Sequence, residues 1–248
     1  MKTLILSSRY SDDSRLLWQA AIKRGWQVMR LRQWNLPESD RPITDPILYV
    51  EALTAPFVAD QLGVTLIEPA LDWLPRLPER YRKRSIELTT LGKARRGPLP
   101  AFVKPPNDKS FPAAVYSSET IPTDFPEDMP VLVSEIVTFD QEFRCFVSDR
   151  ELRTFSLYAR KGEHQANNDW TATAAEEGEL FRFVHELLED RSVELPPAVA
   201  IDVGIIPDRG WAVVEANPVW GAGIYGCSPS AVLDVLNRSH DRCPSGEV

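Results

Sequence analysis

Cysteine, histidine and long apolar runs are all scarce in this sequence. The three cysteines, Cys145, Cys227 and Cys243, are far apart and odd in number. They form no Cys-x-x-Cys pair and no disulfide framework, which points to a reducing cytoplasm. The three histidines, His164, His185 and His240, lack metal-ligand spacing, and no serine or cysteine sits in a nucleophile elbow. The opening MKTLILSSRYSDD has only the three-residue run LIL before polar residues, too short for a signal peptide. No later run reaches membrane length, so no membrane partner is expected. Basic charge is also short: 28 Lys and Arg against 36 Asp and Glu leave a net charge of −8, which argues against a nucleic-acid partner.

What is present is an ordinary globular composition, 43% hydrophobic and 26% charged over 248 residues. That length makes one large domain or two small ones, with a sizeable core. Residues 3–8 (TLILSS) read as a buried strand. Leu16, Leu17, Ala20 and Ala21 mark a helix over 12–24 that Gly25 stops. Strands at 26–31, 46–50 and 64–67, with a helix before Leu62, continue an alternation that favours a small parallel sheet. Residues 75–98, dense in Arg, Lys and Pro, read as a connector with a short helix. From AFVKP at 101 onward the pattern changes to short strands broken by Pro, Asp and Ser, with an amphipathic helix at 175–188 and a last helix near 230–236. The expected fold is therefore α/β followed by α+β, and the tail is expected to be frayed.

The sharpest feature is AVAIDVGIIPDRGWAVVEAN. Pro207, Asp208, Arg209 and Gly210 make a turn between two apolar runs, hence a hairpin. A turn centred between Asp208 and Arg209 pairs Ile206 with Trp211 and places Asp202 opposite Glu215. Asn217 then shares their face by the period of two. Opposed carboxylates among valines and isoleucines need a neutralising partner, and a hard divalent cation such as Mg²⁺ suits an all-oxygen set. A turn shifted by one residue would instead leave the carboxylates in water. Lys104 ends an apolar strand that the prolines at 105 and 106 cannot extend as a central strand, and Lys109 follows in a loop. Two ammonium groups and Mg²⁺ suit a nucleotide polyphosphate, although an exposed strand-end lysine reads the same way. In QEFRCFV, Glu142 and Arg144 share one face against Phe143, Cys145 and Val147, a pattern that an exposed strand also gives. GAGIYG at 221–226 matches Gly-x-Gly-x-x-Gly, but about one helix remains after it, so no dinucleotide-binding βαβ unit can follow.

Lys104 on a strand, the hinge-like VSEIV, Glu142 seven residues after Glu135, Asp202 and then Glu215-x-Asn217 together resemble the ATP-grasp superfamily over about residues 76–238. The WGAGIYG stretch is similar to that family's closing loop. The paired lysines with an arginine resemble the clade defined by one Arg and two Lys, grouped with peptide and protein amidoligases. The resemblance implies two α+β lobes clasping ATP, at 76–137 and 138–240, after a small Rossmann-like parallel α/β domain at 1–75 and before a tail at 241–248. It implies that Lys104, with Lys109, holds ATP phosphates, that the backbone of Glu135, Ile136 and Val137 meets adenine, and that Glu142 takes the ribose hydroxyls. Asp202, Glu215 and Asn217 would bind Mg²⁺, and Arg144 and Arg160 would face phosphate or a substrate acid. The implied chemistry joins a small-molecule or peptide carboxylate to an amine through an acyl phosphate, with ATP going to ADP and phosphate. A small-molecule kinase or a non-catalytic nucleotide-binding protein is the alternative, and a homodimer is left open. Two departures stand out. The phosphate-covering loop PPNDKSF has no glycine, and the earlier phosphate-binding lysine has no single match among Arg82, Lys83, Arg84 and Lys93.

Overall fold

The computed structural model describes residues 1–37, 43–107 and 109–242. The chain opens with β1 (Lys2–Leu6), α1 (Asp12–Lys23), β2 (Gln27–Arg30), β3 (Asp45–Tyr49), α2 (Ala55–Leu62) and β4 (Val64–Leu66). The first three strands form a parallel sheet in the order β2-β1-β3. Helix α1 starts where Ser11 and Ser14 make a reciprocal capping box, and Asp12 and Asp13 face the positive end of its dipole. It stops at Gly25, whose φ of 70° suits a residue without a Cβ.

The next stretch is α3 (Trp73–Arg76), α4 (Glu79–Arg82), β5 (Ile86–Thr90), α5 (Leu91–Arg96), β6 (Ala101–Lys104), β7 (Ala114–Tyr116) and β8 (Pro130–Ser134). Its four strands form an antiparallel sheet in the order β5-β8-β6-β7. The connector expected at 75–98 thus contains a strand, β5. Leu88 on it stays partly exposed, so its apolar alternation is too short to stand out among the charges.

The remainder is β9 (Gln141–Ser148), β10 (Glu151–Arg160), β11 (Glu163–His164), α6 (Ala174–Glu189), β12 (Ala198–Ile206), β13 (Gly210–Asn217), α7 (Pro229–Leu236) and β14 (His240–Arg242). Five of its strands form one antiparallel sheet in the order β11-β10-β9-β12-β13. Strand β14 pairs with β4, so the chain is ordered two residues past the expected start of the tail. The rest of that tail, 243–248, lies outside the described residues.

Three apolar clusters hold this together. Leu180, Val184 and Leu187 of α6 pack on Phe143, Cys145, Val199 and Val203 of the large sheet. The opposite face of that sheet, through Phe146, Ala198 and Ala200, joins Leu4, Ile5, Ile47 and Leu48 of the parallel sheet and Val232 and Leu236 of α7. Each such fully buried side chain contributes roughly 1.5–3 kcal/mol. The four-stranded sheet has its own small core around Leu91, Val103, Phe111 and Val131. So the N-terminal parallel sheet shares its core with the five-stranded sheet, and the lobe carrying Lys104 has its own small core but joins the α6 side of the large sheet through Ile86 and Leu132. Among the described residues, no helix is long and apolar enough to cross a membrane.

Candidate active site

The hairpin of β12 and β13 brings Asp202 opposite Glu215, as the sequence predicts, but by a different route. At the turn Ile206 pairs with Gly210 and Ile205 with Trp211, one residue off the expected register. The ladder then shifts between Asp202 and Val203: Val203 pairs with Val213, and Val214 is left as an extra residue. This β-bulge restores the expected pairing at the carboxylates.

Each carboxylate has its own cation. Glu215 forms an ion pair with Lys104 at the end of β6, and Asn217 Nδ2 donates to Glu215 Oε1 at 2.9 Å. Asp202, fully buried, accepts from Arg144 Nε at 2.5 Å and from Nη2 at 2.7 Å. Arg144 Nη1 donates to the carbonyl of Gly223 at 2.9 Å in the GAGIYG loop, and its guanidinium lies 4.7 Å from the ring centre of Tyr225. Burial pushes the Glu215 carboxyl up, but Lys104, with the hydrogen bond from Asn217, outweighs it and holds the group down at about 2. Burial raises Asp202 to about 6, with Arg144 opposing, so it is ionised at neutral pH. Burial works against the Arg144 charge, and Asp202 more than compensates.

Lys104 and Glu215 sit where two cavities meet. The larger, about 670 Å³, is walled by Ile86, Phe102, Leu132 and Val137 with Arg84 and Glu142 at its polar end. The smaller, about 400 Å³, is lined by Lys109, Asn217 and the prolines at 105 and 106. Glu135 and Val137 border the larger cavity just past the end of β8, while the Ile136 side chain is exposed. Glu135 pairs with Arg209 at 2.6 Å. Glu142 accepts from Tyr158 Oη at 2.8 Å, and burial raises its carboxyl above the usual range. The structure thus brings together Lys104, Lys109, Glu135, Val137, Glu142, Glu215 and Asn217.

Two sequence-derived assignments change. Arg160 does not line either cavity: it makes a two-pronged pair with Glu176 at 2.8 and 2.9 Å. Glu176 also closes the capping box of α6 with Thr173, so Arg160 is committed to the start of that helix. Arg144 lines neither of these two cavities, and Asp202 engages two of its nitrogens. Conversely, Arg84 emerges as the basic residue at the larger cavity among the four left open, and burial lowers it to about 10. Lys161, which also lines the cavity, gave no sequence signal.

The oxygen donors fit a hard cation in part. Glu215 and Asn217 both face the smaller cavity, and Asn217 uses its amide nitrogen on Glu215, which leaves its oxygen to offer. Both oxygens of Asp202 accept from Arg144, and Asp202 lines neither cavity, so it is set back from Glu215 and Asn217. Among the described residues no three Asp, Glu, His or Cys side chains converge as a metal cluster. A cation here would complete its shell with oxygens of a ligand, as Mg²⁺ does with phosphates.

Two α+β lobes therefore meet over an apolar cavity with Lys104 and Glu215 at its wall and Asn217 beside them in the smaller one, an arrangement whose class comparison with known proteins identifies. Residues 81–235 match the ATP-grasp domain, R2K clade family 2, and the chain belongs to that family. No curated protein matches the sequence. The chain is similar to the solved structure of a RimK domain ATP-grasp protein from Sphaerobacter thermophilus DSM 20745, with 20% identity, 95% of this chain and 99% of that one covered, and a TM-score of 0.56. It is similar to D-alanine–D-alanine ligase from Bacillus anthracis complexed with ATP, at 15% identity, 96% coverage of both chains and a TM-score of 0.54. An L-amino acid ligase from Bacillus licheniformis gives 11% identity over 95% of this chain and 74% of that one, with a TM-score of 0.57. At these identities the likeness is one of fold.

Proposed function

We propose that the protein is an ATP- and Mg²⁺-dependent carboxylate–amine ligase. The terminal phosphoryl group of ATP passes to a carboxylate, an amine attacks the acyl phosphate, and an amide, ADP and phosphate leave. The observation that carries this reading is that Lys104 and Glu215 line both a large apolar cavity and a second, smaller one that Asn217 also lines. Adenine would lie against the backbone of 135–137, and Glu142 would take the ribose hydroxyls. Lys104 and Lys109 would hold the phosphates, leaving the smaller cavity for the acceptor. Mg²⁺, held by Glu215 and Asn217, would neutralise charge on the phosphoryl group in transfer. Asp202, bonded to Arg144, would contribute its negative charge from behind Glu215. Lys104 is the residue that changes partner. It neutralises Glu215 in the free protein and would turn to phosphate when a cation takes its place at the carboxylate. Catalysis of this kind rests on positioning and charge, which suits a site without a histidine. The D-alanine–D-alanine ligase and the L-amino acid ligase of the same fold support amino acids as substrates.

The test is incubation with ATP, Mg²⁺ and pools of amino acids and short peptides, followed by mass spectrometry. A condensed product with equal amounts of ADP and phosphate is expected, and it should vanish in Lys104→Met. A phosphorylated acceptor without free phosphate would make the protein a kinase. No turnover, with no rise in melting temperature on adding Mg-ATP to folded protein, would contradict the reading altogether.

A further inference from the structure

By strict alternation Trp211, Val213, Glu215 and Asn217 would all face one side of β13. They do not. Trp211 stacks on Phe183 of α6 and packs with Phe143, and Val213 is buried in that same core. Glu215 and Asn217 face the cleft, on the other side of the sheet. The face changes at Val214, the residue without a ladder partner. A bulge bends its strand and leaves backbone groups that regular pairing does not satisfy.

Arg84 meets the bulge there. Its Nη1 donates to the carbonyl of Val213 at 2.8 Å and its Nη2 to that of Val214 at 2.9 Å. A third bond, to the carbonyl of Arg82 at 3.1 Å, fixes the guanidinium to its own segment, and Phe139 lies 5.3 Å from it. The side chain is only 8% exposed. Arg84 stands two residues before β5, so it reaches the bulge from the lobe that carries Lys104. The planar fork of a guanidinium spans two adjacent carbonyls, whereas an ammonium is a point donor.

We infer that Arg84 is a positioning residue: it clamps the bulge at Val214 and so aims Glu215 and Asn217 into the cleft. The inference rests on the proposed reading of those two side chains as cation donors. Without the clamp the ladder is free to slip toward regular pairing, which would turn Glu215 toward the core face that Trp211 and Val213 occupy.

The experiment compares wild type, Arg84→Gln and Arg84→Lys by hydrogen–deuterium exchange over 210–217, and by ADP titration with and without Mn²⁺. Arg84→Gln should raise exchange in 210–217 about tenfold while the α6 segment stays at the wild-type rate. Because Arg84 also lines the larger cavity, the readout is the ratio of ADP affinities with and without Mn²⁺ in each protein, and that ratio should fall about tenfold. Arg84→Lys should behave like Arg84→Gln, because it cannot bridge both carbonyls. Unchanged exchange in both variants overturns the clamp. So does full rescue by lysine, which would leave Arg84 acting through charge alone. If Arg84→Gln unfolds and exchanges everywhere, Arg84→Lys decides by the same two criteria. If wild type shows no Mn²⁺-dependent ADP binding, the proposed function fails, and the exchange data alone decide the clamp.

Discussion

Asp202 and Glu215 face each other across one ladder, yet each is neutralised by a different part of the molecule. Arg144, which answers Asp202, stands on the neighbouring strand of the same sheet, and the pair is sealed from water. Lys104, which answers Glu215, comes from the other lobe, and that pair is partly open, its side chains 14% and 28% exposed. A buried pair within one sheet has no freedom to exchange partners. A pair between lobes, facing two cavities, can part whenever a better partner for either charge arrives. The difference assigns structure to Asp202–Arg144 and ligand exchange to Glu215–Lys104.

The largest expected effect comes from breaking the buried pair. Arg144→Met removes the cation that opposes burial of Asp202, so the carboxyl must take up a proton to stay buried and loses its hydrogen bonds, and stability should fall by about 3–5 kcal/mol, read from denaturant midpoints. A loss below about 1 kcal/mol would erase the distinction between the two pairs. Breaking the other pair should cost less. Glu215→Gln leaves the half-buried Lys104 without its carboxylate, so a loss of about 1.5–3 kcal/mol is expected, together with loss of turnover. The sequence alone suggests the opposite sign, because two opposed carboxylates read as repulsion. The structure supplies a cation to each, so a gain in stability from Glu215→Gln would restore the repulsion picture.

Acid titration sharpens the comparison further. The Glu215 carboxyl lies at about 2 in the folded protein against an ordinary 4.5, so its ionised form is favoured by folding. That stabilisation is fully present above about 4.5 and is lost as pH falls toward 2. Glu176, pulled down to about 2 by the hydrogen bond from Arg160, acts in the same window. Lys104→Met should remove only the Glu215 share, so the variant's stability should fall less steeply between these limits. An unchanged slope would mean that Lys104 does not hold Glu215 down.

Much of this was legible in the sequence because it depends on local pattern. The strands around AVAIDVGI and VVEAN, the hairpin that joins them and the Lys104 strand end all follow from alternation and turn residues. The bulge was not legible. Val213 and Val214 are both apolar, and nothing in VV says which is the extra residue. The turn was off by one and the bulge corrected it, so the predicted pairing came out right through two cancelling shifts. The roles of Arg84, Arg144 and Arg160 were also hidden, since a guanidinium's partner lies as far as 130 residues away in the chain. Glu176, which caps α6 and engages Arg160, was not singled out by the sequence at all.

The most direct measurement is Mn²⁺ binding without nucleotide, followed by electron paramagnetic resonance in wild type and Lys104→Met. If Lys104 occupies the carboxylate that a cation would use, removing it should tighten Mn²⁺ binding about tenfold, or ~1.4 kcal/mol, although it removes a residue of the proposed active site. Equal or weaker binding in Lys104→Met would contradict the account, because Glu215 would then not be held in reserve for a metal.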